Sequence, residues 1–379
     1  MLADYHDWII GSALPFWAER GFDRQAGRFH ERLDLTGAPL ALPHRAMVQA
    51  RQIFVFAHAA EQGWAKDGAD MAERAMAALL RDFAAQDGDE TSFAFAIDPT
   101  SGAVCAAQRD AYAHAFILFA LAALHRLDGD PKLIDTADRV ICFVERRLTD
   151  PQHGGLFDAL PAPRIKRQNP HMHLLEALLF LESAAPGRGY IERAAGLVAL
   201  FQRHLLHKGM LLEYFEQDWS PAPRVAWEPG HHFEWAWLFH EYAARTGTEP
   251  VASADGLYDL AIGHGVAANG LIVDEIDADL TVIKPSHRLW PHTEAIKAAA
   301  ARHGKGDAAA REFADAMAAR LMATFLKRPF PGGWIDHVGP DGVPIVDHVP
   351  ASSLYHLLLA ASVAAKGFAS APALAKAAP

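Results

Sequence analysis

Three histidines stand at the starts of apolar helical runs: His173 in NPHMHLLEALL, His231 in PGHHFEWAWL and His356 in PASSLYHLLLA. Histidine is the side chain whose ordinary pKa lies near neutrality, so such placements suit proton transfer. His173 and Glu176 are three residues apart and share a helix face, with Asn169 four residues before His173 on the same face. His171 is turned about 160° from His173, so only one of the two is expected to line a cavity. His231 and Glu234 repeat the spacing, and a carboxylate so placed fixes an imidazole's tautomer and raises its basicity. His232 is offset by about 100° and is expected to make a cap or loop contact. Arg51 lies inside the apolar stretch QARQIFVF, a costly place unless it meets a ligand or a carboxylate.

Three further starts follow the same plan. Tyr112 and His114 occupy the first turns of DAYAHAFILF, and Trp290 and Glu294 those of HRLWPHTEAIKA. Trp290, Trp334 and Phe233 offer flat apolar faces suited to stacking on a sugar ring. HMH is strand-like spacing that splays two rings on a helix, and HHFE lacks the i, i+4 histidine pair, so no metal is expected. The chain has no G-x-S-x-G elbow, no G-x-G-x-x-G and no Walker A motif, and no cofactor is expected.

Positioning these residues requires helices. Twelve amphipathic stretches are expected, at 2–19, 44–63, 67–86, 110–127, 131–149, 169–185, 189–207, 230–246, 252–266, 287–303, 307–327 and 351–367. They pair across short gaps such as GWAK, DGD, PGRG and GKG, and longer segments of roughly 18–25 residues separate the pairs. Those segments resemble one another: GRFHERLD, TSFAFAIDPTSG, GGLFDALP, LLEYFEQD, LIVDEIDAD and GGWIDHVGPDG. Each reads as a short β-hairpin-like excursion, a weak sixfold repeat. Six helix pairs with one set of loops long and the other short suit an all-α fold, an (α/α)6 barrel of twelve helices. The polar first turns of the six helices after the long segments would then converge at one end, as the wall of a concave site. No Gly/Ser/Pro-rich linker interrupts the middle of the chain, so a single catalytic domain is expected over 1–367, with a frayed tail over 368–379.

Composition narrows the partners. The net charge of −11 is spread without a basic block, which argues against nucleic acid and anionic membranes. No run approaches 18 apolar residues, and the start lacks the basic flank of a signal peptide. Two cysteines, Cys105 and Cys142, fit a reducing compartment, and a cytoplasmic protein, monomer or homodimer, is expected.

NPHMHLLEA, PGHHFEWAWL, LWPHTEAIKA and the terminal YH together resemble the N-acylglucosamine 2-epimerase superfamily, over nearly the whole chain from GFDRQAGRFHERLD to PASSLYH. The resemblance implies an (α/α)6 barrel and an aldose–ketose isomerase acting on a monosaccharide, most simply D-mannose and D-fructose, without cofactor or metal. The alternatives are a 2-epimerase of the cellobiose or N-acylglucosamine type and, more remotely, an (α/α)6 glycoside hydrolase. It further implies that His231 and His356 are the acid/base pair, that His173 assists ring opening and that Glu234 orients His231. Arg51 would hold the O1/O2 region or its enediolate, and Tyr112, Asn169, Trp290 and Glu294 would line the pocket. His337 stands where relatives often have Gln. The expected activity rises through roughly pH 6–7, near the ordinary histidine pKa. The cluster Arg164, Lys166 and Arg167 is expected to be a solvated loop.

Overall fold

Runs such as AMVQARQIFVFAHAA carry apolar residues at every phase of the helical turn, so as helices they must be enclosed on all sides. The protein's computed structural model describes residues 1–369 and encloses them among other helices. In chain order the helices begin with α1 (Leu2–Trp8) and α2 (Leu14–Arg20), joined by a π turn into one unit. Then come α3 (Ala46–Glu61), α4 (Gly68–Asp82), α5 (Ala111–Asp128), α6 (Pro131–Phe143), α7 (Asn169–Ala184) and α8 (Tyr190–Leu200). The last five are α9 (Pro229–Thr246), α10 (Ser253–Gly265), α11 (Trp290–Gly304), α12 (Ala309–Arg320) and α13 (Leu354–Ala369). Among the described residues these are the twelve helical units that the periodicity predicts. Residues 368 and 369, assigned to the tail by sequence, extend α13, and the rest of that tail, 370–379, lies outside the described residues.

Helices α3, α5, α7, α9, α11 and α13 follow the long segments, and each packs on the next, with α13 packing back on α3. Their partners across the short gaps pack outside them: α4 on α3, α6 on α5, α8 on α7, α10 on α9 and α12 on α11. The outer helices bury one stripe, as Met71, Ala72, Ala75, Met76 and Leu79 do in α4. The inner helices bury nearly every residue of their first three turns. No described helix is long and apolar enough to cross a membrane.

Several long segments form the expected hairpins: Phe22–Asp23 pair with Arg28–Phe29, Ala84–Asp87 with Glu90–Phe93, Leu206–His207 with Met210–Leu211 and Glu275–Asp277 with Val282–Lys284. Beyond the expectation, consecutive segments also pair with one another: the residues entering an inner helix run antiparallel to the following segment. His44–Arg45 pair with Ala96–Ile97, Arg109–Asp110 with Ala159–Leu160, and Lys166–Arg167 with Tyr214–Phe215. Ala226–Trp227 pair with Ile276–Asp277, His287–Arg288 with His337–Val338, and His348–Pro350 of the sixth segment with Arg32–Asp34 of the first.

A second repeated device ties each segment to its own helix. In α5, α7, α9 and α11 a fully buried histidine sits in the first turn, at His114, His171, His232 and His292. Each Nδ1 meets the carbonyl four residues back, of Asp110, Arg167, Glu228 and Arg288, at 2.7–3.1 Å. Each Nε2 accepts a backbone N–H from the segment, from Phe93, Leu156, Leu211 and Ile272, at 2.7–3.2 Å. Because Nε2 accepts, the ring proton sits on Nδ1, and the pin works only as the neutral imidazole. In α3 the amide of Gln49 does the same work on both backbone groups of Phe29.

Two outcomes test this. His292→Leu leaves a buried N–H and a buried carbonyl unpaired and lowers unfolding free energy by about 2 kcal/mol or more, measured by urea titration. Burial pushes all four pinning imidazoles down to about 4. The unfolded chain therefore binds more protons than the folded one between about pH 6.5 and 4. Stability measured across that window falls as pH falls, and an unchanged stability would contradict the neutral pins.

Candidate active site

The first turns of the six inner helices surround a cavity of about 400 Å³. Arg51 of α3, Tyr112 of α5, Asn169 and His173 of α7, His231 and Glu234 of α9, Trp290 of α11 and His356 of α13 line it. Six helix N-termini converge there, so the partial positive ends of six helices border it. Gly230 permits the packing on one side, because a Cβ there would lie 2.5 Å from the Trp290 indole. That indole lies 4.8 Å from the His231 ring and 5.7 Å from the His356 ring, centre to centre.

His231 is oriented by a carboxylate that its own helix does not supply. Its Nδ1 lies 2.9 Å from Glu213 Oε2 and 3.7 Å from Glu228, while the side-chain amide of Asn169 lies 2.9 Å from Nε2, where an imidazolium takes the amide oxygen as its acceptor. The expected partner Glu234 points elsewhere: its nearest imidazole is His173, at 4.0 Å, and neither of its oxygens has a hydrogen-bond partner among the described residues. The i, i+3 spacing places the two side chains on one side of α9, but the fourth long segment brings Glu213 closer to the ring.

His173 Nδ1 bonds Glu176 Oε2 at 3.0 Å, and Tyr355 donates its hydroxyl to the same carboxylate. His356 Nδ1 bonds Glu294 Oε1 at 2.8 Å. Glu294 therefore sits beneath His356 rather than on the cavity wall, fully buried. Arg51 donates to the Tyr112 hydroxyl and to the Ser352 carbonyl at 3.2 Å, and it stacks on Phe116 at 4.1 Å.

Besides Glu294, two expected site residues are not at the cavity. His114 is one of the pinning histidines, fully buried and spent on backbone groups. Trp334 stacks on Trp17 at 4.9 Å in the core, where the fixed hydrophobic contact outweighs any role as a ligand platform. His171 and His232 turn away from the cavity, as helical phase predicts. The basic cluster is split. Arg164 pairs with Glu216 at the surface, and Lys166 is buried on Asp150 at 2.6 Å, but Arg167 reaches the cavity. His337 bonds Asp274 at 2.7 Å, beside Arg288.

Sequence reasoning missed Glu213, Glu228, Tyr214, Arg288, Asp336 and Ser353 of the lining. A signal for the acids was present, because the segments share an acidic residue two places after an apolar one: Glu31, Asp158, Glu213, Asp274 and Asp336. In three of them this acid accepts the backbone N–H and the side chain of an arginine entering the helix: Arg45, Arg167 and Arg288. In the fourth segment the entering residue is Glu228. Glu213 still accepts its backbone N–H at 3.2 Å, but with no arginine to hold, its other oxygen turns to His231.

These partners drive the imidazoles apart. Burial opposes a charge on His231, but Glu213 and Glu228 overcome it and push its pKa up to about 9. Burial lowers His173 to about 4 against the pull of Glu176, and burial with Arg51 and Lys297 holds His356 well below its ordinary value. Burial and Glu294 hold Glu234 well above the usual carboxylate range. Near neutrality the cavity therefore presents one imidazolium and two neutral imidazoles, and a rise of activity through pH 6–7 has no group of its own here. Three triads bring ligand atoms close enough to hold a cation: His173, Glu176 and Glu234; Glu213, Glu228 and His231; and Glu234, Glu294 and His356. In each, one histidine and one carboxylate already bond each other, with Arg288 or Lys297 on a carboxylate of the last two, while Glu234 in the first and third keeps both oxygens without a hydrogen-bond partner among the described residues.

A sequence model of the N-acylglucosamine 2-epimerase family matches residues 27–360. A relative named mannose-6-phosphate isomerase, from Rhizobium meliloti strain 1021, is 33% identical over 372 residues, covering 93% of this chain and 94% of that protein. A D-mannose isomerase of Thermobifida fusca is 29% identical over 331 residues, 77% of this chain and 79% of that one. The solved cellobiose 2-epimerase of Spirochaeta thermophila superposes with a TM-score of 0.87 at 22% identity, over 97% and 96% of the two chains, and shows the same fold.

The electrostatics are testable without any substrate. Histidine side-chain NMR should show His231 titrating near pH 9, and Glu213→Gln should move that titration down. A His231 that titrates near 6.5 in the wild type would contradict the pairing.

Proposed function

Because the chain belongs to the N-acylglucosamine 2-epimerase family, a family of carbohydrate isomerases and epimerases, we propose that it is an aldose–ketose isomerase interconverting free D-mannose and D-fructose. The observation that carries the mechanism is the contrast between two histidines of one cavity: His231 bonds Glu213 beside Glu228, which push its pKa up, while burial with Arg51 and Lys297 holds His356 below its ordinary value. Pairs whose environments separate their pKa values divide acid from base. The helices are taken as one (α/α)6 barrel, a single catalytic domain over 1–367, which the closed circuit of inner helices supports.

In this reading the open-chain aldose places its C1 carbonyl near His231 and its C2–H near His356. His356 Nε2, free because Nδ1–H is given to Glu294, takes the C2 proton. His231 gives its proton to O1, so the intermediate is a neutral or nearly neutral enediol. Arg51 and the convergent helix N-termini stabilise the negative charge that develops on oxygen. His356 then returns its proton to C1, and His231 takes the O2 proton back, giving the ketose. Delivery of a proton to the opposite face of C2 would give the epimer instead. His173, neutral beside Tyr112 at 4.9 Å between ring centres, is placed to assist ring opening.

An uncharged hexose suits the rim. The guanidinium of Arg167 is paired with Asp158, and that of Arg288 with Glu228 at 2.7 Å and Asp274 at 3.1 Å, so neither is a spare cation for a phosphate. The second reading is a phosphorylated hexose, favoured by the presence of those two arginines at the cavity and by the name of the relative from Rhizobium meliloti. Hydrolysis of a glycosidic bond needs two carboxylates free to flank it. Of the carboxylates that such an enzyme would use here, Glu294 is buried on His356 and Lys297, and Glu213, Glu228 and Asp336 are committed to His231, Arg288 and Ser353, which leaves Glu234 without a free partner across the cavity.

Purified protein incubated with mannose should yield fructose, and glucose as the only product would overturn the isomerase assignment. A kcat/KM for mannose 6-phosphate well above that for mannose would replace the free-sugar reading with the phosphorylated one. Activity should hold through neutrality and fall as pH rises through about 9, where His231 loses its proton, and Glu213→Gln should bring that fall to lower pH. His231→Ala and His356→Ala should each abolish turnover with the fold retained, whereas exhaustive chelation should leave it intact.

A further inference from the structure

Beneath His173 and His356 lies a buried group that the sequence reading did not single out. Glu176, Glu234 and Glu294 come together there, and Lys297 of α11 places its ammonium among them with no solvent exposure. Its Nζ is 2.5 Å from Glu294 Oε2 and 3.9 Å above the centre of the Trp237 ring. The Glu294 carboxylate is thus divided, with Oε2 against Lys297 and Oε1 against His356 Nδ1 at 2.8 Å.

We propose that Lys297 is a positioning residue for the reaction: it holds Glu294 as the ionised acceptor of the His356 Nδ1 proton, so that Nε2 meets the substrate with a free lone pair. This rests on the acid/base reading of His356 given above. The chemistry of the donors carries it. An ammonium carries a full positive charge and no acceptor, so at ion-pair distance, in a site without solvent, it favours the charged form of the Glu294 carboxylate. A protonated Glu294 would instead donate to Nδ1, and the imidazole's own hydrogen would then occupy Nε2. Burial by itself drives Glu294 toward that protonated form, and Lys297 opposes it. The same ammonium also disfavours a proton on His356. The face of Trp237 fixes where the ammonium sits, and Glu294 and Lys297, three residues apart on α11, move as one unit.

A buried counter-ion that served stability alone would change the melting temperature and leave the pH profile in place. The experiment therefore compares wild type, Lys297→Met, Glu294→Gln, the double variant and His356→Ala, measuring kcat, KM and the pH dependence of kcat/KM on the sugar that wild type turns over. Lys297→Met should lower kcat on the order of a hundredfold, the size expected when a general base loses its free form, with KM little changed. Its acid limb should move to higher pH, because His356 then takes up a proton more readily. The double variant buries neither charge and so reports even where the single lysine variant is unstable. Adding Lys297→Met to Glu294→Gln should cost nothing further, because the lysine acts through that carboxylate. A multiplicative further loss in the double variant, or an unmoved acid limb in Lys297→Met, would overturn the proposal. Turnover that survives His356→Ala would overturn the acid/base reading itself, which separates the two failures.

Discussion

The imidazole bridge between each long segment and the helix that follows it is the contact on which the cavity depends. A helix start leaves backbone groups without partners, and a loop laid over it brings more. In four of the six repeats one neutral histidine satisfies a segment N–H and a helix carbonyl at once. In a fifth, Gln49 holds both backbone groups of the segment residue Phe29. The segments are thereby fixed over the helix N-termini, and strand pairing from each segment to the next links them in a circuit. Side chains in the first turns acquire a rigid setting, which catalytic groups require.

The site departs from the repeat at one place, and chemistry follows from that departure. In the first, third and fifth repeats the segment acid grips an arginine that enters the helix. In the fourth repeat that arginine is replaced by Glu228, and the freed oxygen of Glu213 meets His231. A scaffold carboxylate thus becomes the partner that keeps an imidazole charged. Across the cavity, burial and the cations Arg51 and Lys297 keep His356 neutral. Local charge balance divides two chemically identical side chains into an acid and a base.

Much of this was legible in the chain. Twelve helical periods, the alternation of short and long gaps, and the polar first turns on every second helix mark both the architecture and the end at which the cavity lies. Helical phase separated His173 from His171 and His231 from His232, because both members of each pair ride one rigid helix. Phase could not tell the pinning histidines from the lining ones on helices that carry a single candidate. His114 looked like a site residue and is a structural one. Trp334 failed for a related reason: an aromatic's type does not reveal whether its face meets a cavity or Trp17.

The sequence alone determined the helices, their pairing in chain order and the chemical inventory of their first turns, since those rest on periodicity and contacts within a few residues. Tertiary structure alone decided which carboxylate serves which histidine. Glu213 reaches His231 from eighteen residues away, and Glu294 reaches His356 from sixty-two. Such distances are set by how segments pack, and a hydrogen bond discriminates over a few tenths of an ångström, so Glu234, nearer in sequence to His231, yields its place to a residue nearer in space.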